Sequence, residues 1–188
     1  LYLGENQFET VPEAITELSN LEHLYLFSNQ LTTLPDSLGQ LRELTALSLA
    51  NNQLKKLPDS FGQLNKMTEL WLSNNQFEEL PDSFGQLNRL TELYIDGNEL
   101  TTLPESFGQL KNLQTLDLHS NQLTTLPDSF GQLNKLTELN LYNNQLTTLP
   151  DSFGQLENLL RLDISNNSIP KEEIKSLQDA MPRCNIRF

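Results

Sequence analysis

Asp96 and His119 hold the same slot in successive copies of a repeated phrase, and Asp117 precedes His119 by two. Two carboxylates and an imidazole at neighbouring sites have the donor types to hold a divalent cation. Three ligands make a thin site, however, and a surface His–Asp pair is the simpler account, so no metal is expected. Glu69 and Glu92 share a slot in the same way, and Glu92 is close in sequence to Asp96. Paired carboxylates of this kind suggest glycoside hydrolysis. That chemistry needs a deep, dry pocket that raises one of the two pKa values. No Ser–His–acid set is readable, because the serines recur as part of the repeated phrase. Most of the glycines fall one to a copy and never cluster into a phosphate-binding loop. Cys184 is the single cysteine, which excludes an internal disulfide, and two histidines are too few for most metal cages. Asn166-Asn167-Ser168 fits a glycosylation sequon, which matters only in a eukaryotic secretory setting. The expectation is a chain with no catalytic residues and no cofactor.

Composition narrows the partners. The net charge is -13 and the pI about 4.4, so a nucleic-acid backbone is repelled. The mean hydropathy is -0.44, and no apolar run approaches the roughly 18 residues of a membrane span. Neither nucleic-acid binding nor membrane insertion is expected.

The recurrence of one phrase along the chain governs everything else. From Leu21 the chain places apolar residues at Leu21, Leu24, Leu26, Leu31 and Leu34, with Asn29 and Pro35 between and after them. The same frame restarts at even steps from Leu44, Met67, Leu90, Leu113 and Leu136, and partly from Leu159. Backwards, Leu1, Leu3, Asn6, Phe8, Val11 and Pro12 fill a unit lacking its first three positions. Repeats at such a period indicate a solenoid. Within each unit the fourth and sixth residues alternate with polar or variable ones, the period of a short strand. Stacking sets these strands side by side, about 4.8 Å apart, in a parallel sheet. The asparagines Asn6, Asn29, Asn52, Asn75, Asn98, Asn121, Asn144 and Asn167 stand where each strand turns. There an amide can satisfy backbone groups of its own and the next coil, a structural ladder rather than a catalytic set. The return half reads Pro-Asp-Ser-Phe-Gly-Gln-Leu. Proline starts a helical turn, the acid complements its dipole and glycine ends it, which predicts 3₁₀ or very short helical pieces. Phe61, Phe84, Phe107, Phe130 and Phe153 form a second apolar spine beneath them.

The motif LxxLxLxxNxLxxLP, in eight in-register copies from Leu1 to about Ile169, resembles the leucine-rich repeat proteins, closest to their short bacterial type. The resemblance implies an α/β class solenoid: a right-handed horseshoe with the parallel sheet on its concave face and 3₁₀ or irregular segments on its convex side. It also implies protein–protein recognition through the concave face. Two other readings are open. Similar arrays serve as targeting domains beside the GTPase of Roco-type proteins or the ubiquitin-ligase module of bacterial effectors, and exposed Trp and Tyr can stack on sugars in an adhesion module.

The ends depart from the frame. One solenoid domain is expected, with a truncated first repeat over 1–20, six full repeats over 21–158, and a last repeat over 159–188. In that last unit proline arrives early, at Pro170. A capping helix is predicted over about 171–181, with Ile174, Leu177 and Met181 on one face, and a terminal strand follows. Cys184 falls one position short of a full repeat beyond Leu162 and is placed at an inward strand position. Leu1 begins mid-strand without methionine, which reads as a trimmed chain with an uncapped N-terminal end able to self-associate.

The repeats align the chain with itself, so variable slots stand out. The third, fifth and seventh positions of each unit face the concave side, and they hold every Tyr and Trp and both His. The candidate partner-binding residues are Tyr2, Tyr25, Phe27, Glu69, Trp71, Glu92, Tyr94, Asp96, Asp117, His119, Glu138 and Tyr142. Aromatic residues exposed on a sheet mark a binding surface. The expectation is an aromatic strip from Tyr2 to Tyr94, about 19 Å long at the strand spacing. Carboxylates flank it, with Arg161 the single opposing charge. A protein or peptide with a basic surface suits it.

Overall fold

The computed structural model describes residues 1–188. Eight three-residue strands run parallel in one sheet in chain order: β1 (His23–Tyr25), β2 (Ala46–Ser48), β3 (Glu69–Trp71), β4 (Glu92–Tyr94), β5 (Thr115–Asp117), β6 (Glu138–Asn140), β7 (Arg161–Asp163) and β8 (Asn185–Arg187). Tyr2 adds a single parallel bridge to Tyr25 ahead of β1. The sheet does not close on itself, and the eight strands line one side of a horseshoe. No helix is long and apolar enough to cross a membrane.

Each strand is short because only its central residue points inward. Leu24, Leu47, Leu70, Leu93, Leu116, Leu139 and Leu162 face the interior and pair with each other in register. Together with the leucines of the following turn they belong to a single cluster of 48 buried residues. The return segments are 3₁₀ helices of five residues, the first at Asp36–Gln40 and the last at Asp151–Gln155. The first coil instead carries a four-residue α-helix, α1 (Glu13–Thr16). Under the 3₁₀ segments the five phenylalanine rings lie parallel within 1–2°, their centroids 6.0–6.4 Å apart.

Polar groups close the coils. The Thr68 and Thr91 hydroxyls donate to the carbonyls of Thr45 and Thr68, one coil and 23 residues back. In the ladder Asn98 is typical: its amide donates to the carbonyls of Leu72, Ile95 and Asp96, and its Oδ1 accepts from the Phe77 N–H. The partners lie in its own and the preceding coil, not the next one, because the side chain points back beneath the coil already laid down. Six ladder members from Asn29 to Asn144 are buried. The hydroxyls of Ser129 and Ser152 donate to the carbonyls of Glu105 and Asp128, 24 residues back. Ser60, Ser83 and Ser106, at the same slot, have buried hydroxyls without a partner.

The last coil closes differently. Early Pro170 starts α2 (Lys171–Ala180), which buries Leu177, and Met181 just after it is buried too. Its Glu173 carboxylate accepts from the Leu149 N–H and the Thr148 hydroxyl. Cys184 does not occupy the inward strand position. β8 pairs Leu162 with Ile186, so the final unit is longer than the others rather than shorter. The turn after α2 consumes the difference and leaves the Cys184 thiol half-buried beside the core, where burial pushes its pKa up.

Candidate functional site

Residues flanking each inward strand leucine project from the concave surface, and the register stacks them in columns. Ser48 pairs with Trp71, Trp71 with Tyr94, Tyr94 with Asp117, and Asn140 with Asp163. Same-face neighbours on adjacent strands are therefore in contact distance.

The aromatic residues form two groups rather than one strip. Tyr2 packs against Tyr25 and Phe27 at 5.8 and 5.4 Å between centroids. Trp71 and Tyr94 stack at 6.2 Å with planes 3° apart. Between the groups, β2 carries only small residues on this face, Ala46 and Ser48, with Ala50 beyond it. Ala46 and Ser48 are nonetheless buried, at 4% and 7% exposure, because the larger side chains of β1 and β3 lean over them. Tyr142 is exposed and has no aromatic neighbour.

The charges divide as well. Glu69 and Glu92 face each other in register on β3 and β4, and no Lys, Arg or His nitrogen lies within 4.0 Å of either. The Tyr94 hydroxyl donates to Glu92 at 3.2 Å. Burial first, then the negative charge of Glu92, raises the phenol pKa. Toward the C-terminus the acids have partners: Glu138 pairs with Arg161, and Asp163 with Arg187 at 3.4 Å. Arg187 is a concave-face cation that the sequence reading missed: aligning Cys184 with Leu162 slips the last strand by two residues, which keeps its faces but sets Asn185 rather than Arg187 beside Asp163. Tyr94, Asp117, Glu138, Arg161, Asp163 and Arg187 line a shallow groove of about 380 Å³. A larger hollow of about 650 Å³ on the return side is lined by Arg42, glycines and Gln and Asn side chains such as Gln63 and Gln86, with no hydrophobic residue. It is the open spacing between repeated Gln and Asn side chains, with no buried charge or apolar floor to select a ligand.

Asp96, Asp117 and His119 do come together. His119 Nδ1 lies 2.7 Å from Asp117 Oδ1, and Nε2 lies 3.8 Å from Asp96 Oδ2. All three are half-buried, with ligand atoms within 4.8 Å of one another. The fold explains the meeting: Asp96 and His119 occupy the same slot on successive coils, just beyond β4 and β5.

The residue before each ladder asparagine adopts a left-handed conformation, φ 52–63°, at Glu5, Ser28, Asn51, Asn74, Gly97, Ser120, Asn143 and Asn166. This bend ends each strand and presents the seventh-slot side chains. The sequence signal was the run of Asn, Ser and Gly at that slot, residue types that tolerate such a φ or favour turns.

A family model described as "Leucine-rich repeat region" matches residues 38–121 and 95–179, and a second, "Leucine rich repeat", matches residues 1–54. The chain belongs to the leucine-rich repeat family. It is similar to a leucine-rich repeat protein of Leptospira interrogans, at 39% identity over 97% of this chain and 53% of that one, with a TM-score of 0.81. It is also similar to the plant peptide hormone receptor RGFR1, solved in complex with RGF2, at 30% identity over 100% of this chain and 31% of that one, TM-score 0.86. The leucine-rich repeat domain of the type III effector XopL matches at 26% identity over 100% of this chain and 75% of that one, TM-score 0.78. A search of curated proteins returned no match. The chain spans about half of the Leptospira protein and a third of the receptor.

Proposed function

We propose that the chain is a recognition module that holds a protein or peptide segment carrying Lys or Arg against β3 and β4 of its concave sheet. One observation carries this reading. Glu69 and Glu92 are adjacent in register, have no cationic partner, and stand beside the stacked Trp71–Tyr94 pair. Two like charges on neighbouring strands repel, and a cation from outside relieves that repulsion. The aromatic pair supplies apolar area for the aliphatic stem of the same residue. The solved complex of the similar plant receptor supports a peptide-sized ligand.

Binding of the full chain to an array of peptides, half containing Lys or Arg and half with Glu in their place, tests the reading. Basic peptides are expected to bind selectively and to lose about tenfold or more in affinity, about 1.4 kcal/mol, with Trp71→Ala/Tyr94→Ala or Glu69→Gln/Glu92→Gln. Binding should also fall as salt rises. Equal affinity of parent and both variants for the selected peptides would sink the assignment. Competition by free sugars with no salt dependence would favour a glycan ligand instead.

A further inference from the structure

The concave sheet is sorted by charge along its length. Glu69 and Glu92 on β3 and β4 lack a cation, whereas Arg161 on β7 and Arg187 on β8 stand toward the other end. Between them runs the groove of about 380 Å³, lined from Tyr94 to Arg187. Its hydrogen-bond balance favours one class of ligand group. The carboxylates of the groove are engaged: Asp117 by His119 and Asn140, Asp163 by Ser165 and Arg187, and Glu138 by Arg161. The guanidinium groups are not used up. A guanidinium has five N–H donors, yet each of these two meets its carboxylate through Nη1 alone and makes no other hydrogen bond. They also reach further into solvent than their partners. The Arg161 and Arg187 side chains are 72% and 78% exposed, against 46% for Glu138 and 23% for Asp163. A group entering the groove therefore meets spare donors before it meets an acceptor.

We propose that the groove over β5–β8 takes an acidic side chain, Asp or Glu, of the same peptide whose Lys or Arg sits at β3 and β4. The proposal rests on that peptide reading and adds a second charge to the ligand. A carboxylate accepts two parallel N–H bonds from one guanidinium in fork geometry. Exposed pairs such as Glu138–Arg161 contribute too little to the fold to hold the fork back from a ligand. An acid placed instead at β3 and β4 meets the like charges of Glu69 and Glu92. The sheet also sets the spacing of the two ligand charges. Four strand steps separate the Glu69–Glu92 pair from Arg161 and Arg187, about 19 Å at the strand spacing. An extended chain rising about 3.3–3.6 Å per residue covers this in roughly five or six residues. A peptide that crosses the strands thus carries its base and its acid five or six positions apart.

The test is titration of the full chain with peptides blocked at both ends, so that no terminal carboxylate takes part. Each carries one Arg, with Glu or Gln either five or two residues away. Glu at five residues is expected to tighten binding about tenfold over Gln, the scale of a hydrogen bond to a charged group. Glu at two residues is expected to give no gain. Arg161→Gln/Arg187→Gln should abolish the gain. Arg42→Gln/Lys111→Gln removes the same charge on the return side and should leave the gain intact, with circular dichroism checking that both variants are folded. Equal binding of the Glu and Gln peptides, an equal gain at both spacings, or a gain that survives Arg161→Gln/Arg187→Gln would overturn the proposal while selection of basic peptides stands. Loss of that selection in the parent chain would instead overturn the peptide reading, and this proposal with it.

Discussion

The two sides of the solenoid obey opposite rules. On the convex side each coil presents the same residue to a copy of itself: phenylalanine to phenylalanine at 6.0–6.4 Å, glycine to the serine of the next coil. On the concave side neighbours in register differ, as with Ser48 beside Trp71 or Tyr94 beside Asp117. A contact made by translation is satisfied only when every coil supplies the same shape, so variation there disrupts two interfaces at once. A side chain facing solvent carries no such constraint. Stability should therefore reside on one side and recognition on the other, and substitutions should separate the two.

The largest separation is expected at the phenylalanine spine. Phe107 is fully buried between Phe84 and Phe130. Phe107→Ala should cost about 3–5 kcal/mol in urea unfolding, and because it interrupts coupling in mid-array it should lower the m-value or split the transition. Phe153, with a single aromatic neighbour, should cost less when replaced and leave the transition whole. A Phe153→Ala loss equal to that of Phe107→Ala would show that the rings contribute as separate core residues and not as a stack.

The asparagine ladder should follow. Asn98→Ala leaves the buried Phe77 N–H without its side-chain acceptor, while the Leu72 carbonyl keeps the Asn75 amide, at about 1–3 kcal/mol for a buried group left bare. Asn6, exposed and bonded only to Leu3 and Gly4, should change stability by no more than about 0.5 kcal/mol as Ala. The glycines give a sign change within one motif. A Cβ on Gly131 would lie 2.1 Å from the Ser152 carbonyl oxygen, whereas one on Gly154 meets nothing within 4 Å. Gly131→Ala should cost about 1–3 kcal/mol as overpacking. Gly154→Ala should add roughly 0.4–1 kcal/mol by restricting the unfolded chain. Thermal melts of the two variants moving in the same direction would contradict the stacking argument.

Most of this convex side was legible before the structure, because a constraint repeated in every coil leaves its mark in every coil. The repeating frame, the parallel sheet, the 3₁₀ returns and the phenylalanine spine all rest on residues that recur. What was not legible occurs once. The sheet pairing of β8 depends on the length of the turn after α2, and no other unit contains that turn, so Cys184 was placed where Ile186 sits and the pairing of Arg187 with Asp163 went unseen. The gap between the Tyr25 and Trp71 groups was readable as Ala46, Ser48 and Ala50. Its consequence was missed, because a column of slots records which residues are present and not how far each side chain leans.

The smallest effect is the most informative about the concave side, since there stability and binding should move in opposite directions. Glu69 and Glu92 are paired like charges with no counter-ion, so Glu69→Gln removes a repulsion that the fold now bears. Cross-strand pairs contribute roughly 0.2–1 kcal/mol, and at a half-exposed site the gain should fall at the low end. Glu69→Gln should therefore raise the unfolding free energy slightly at low ionic strength, and added salt should erase the gain. The same change should weaken binding of a basic peptide. A convex substitution should not show this pattern, because a change there, Gly154→Ala included, alters stability without altering contact with a partner. If Glu69→Gln destabilised the chain at low salt, the two carboxylates would be serving the fold, and the division between the two sides of the solenoid would not hold at β3 and β4.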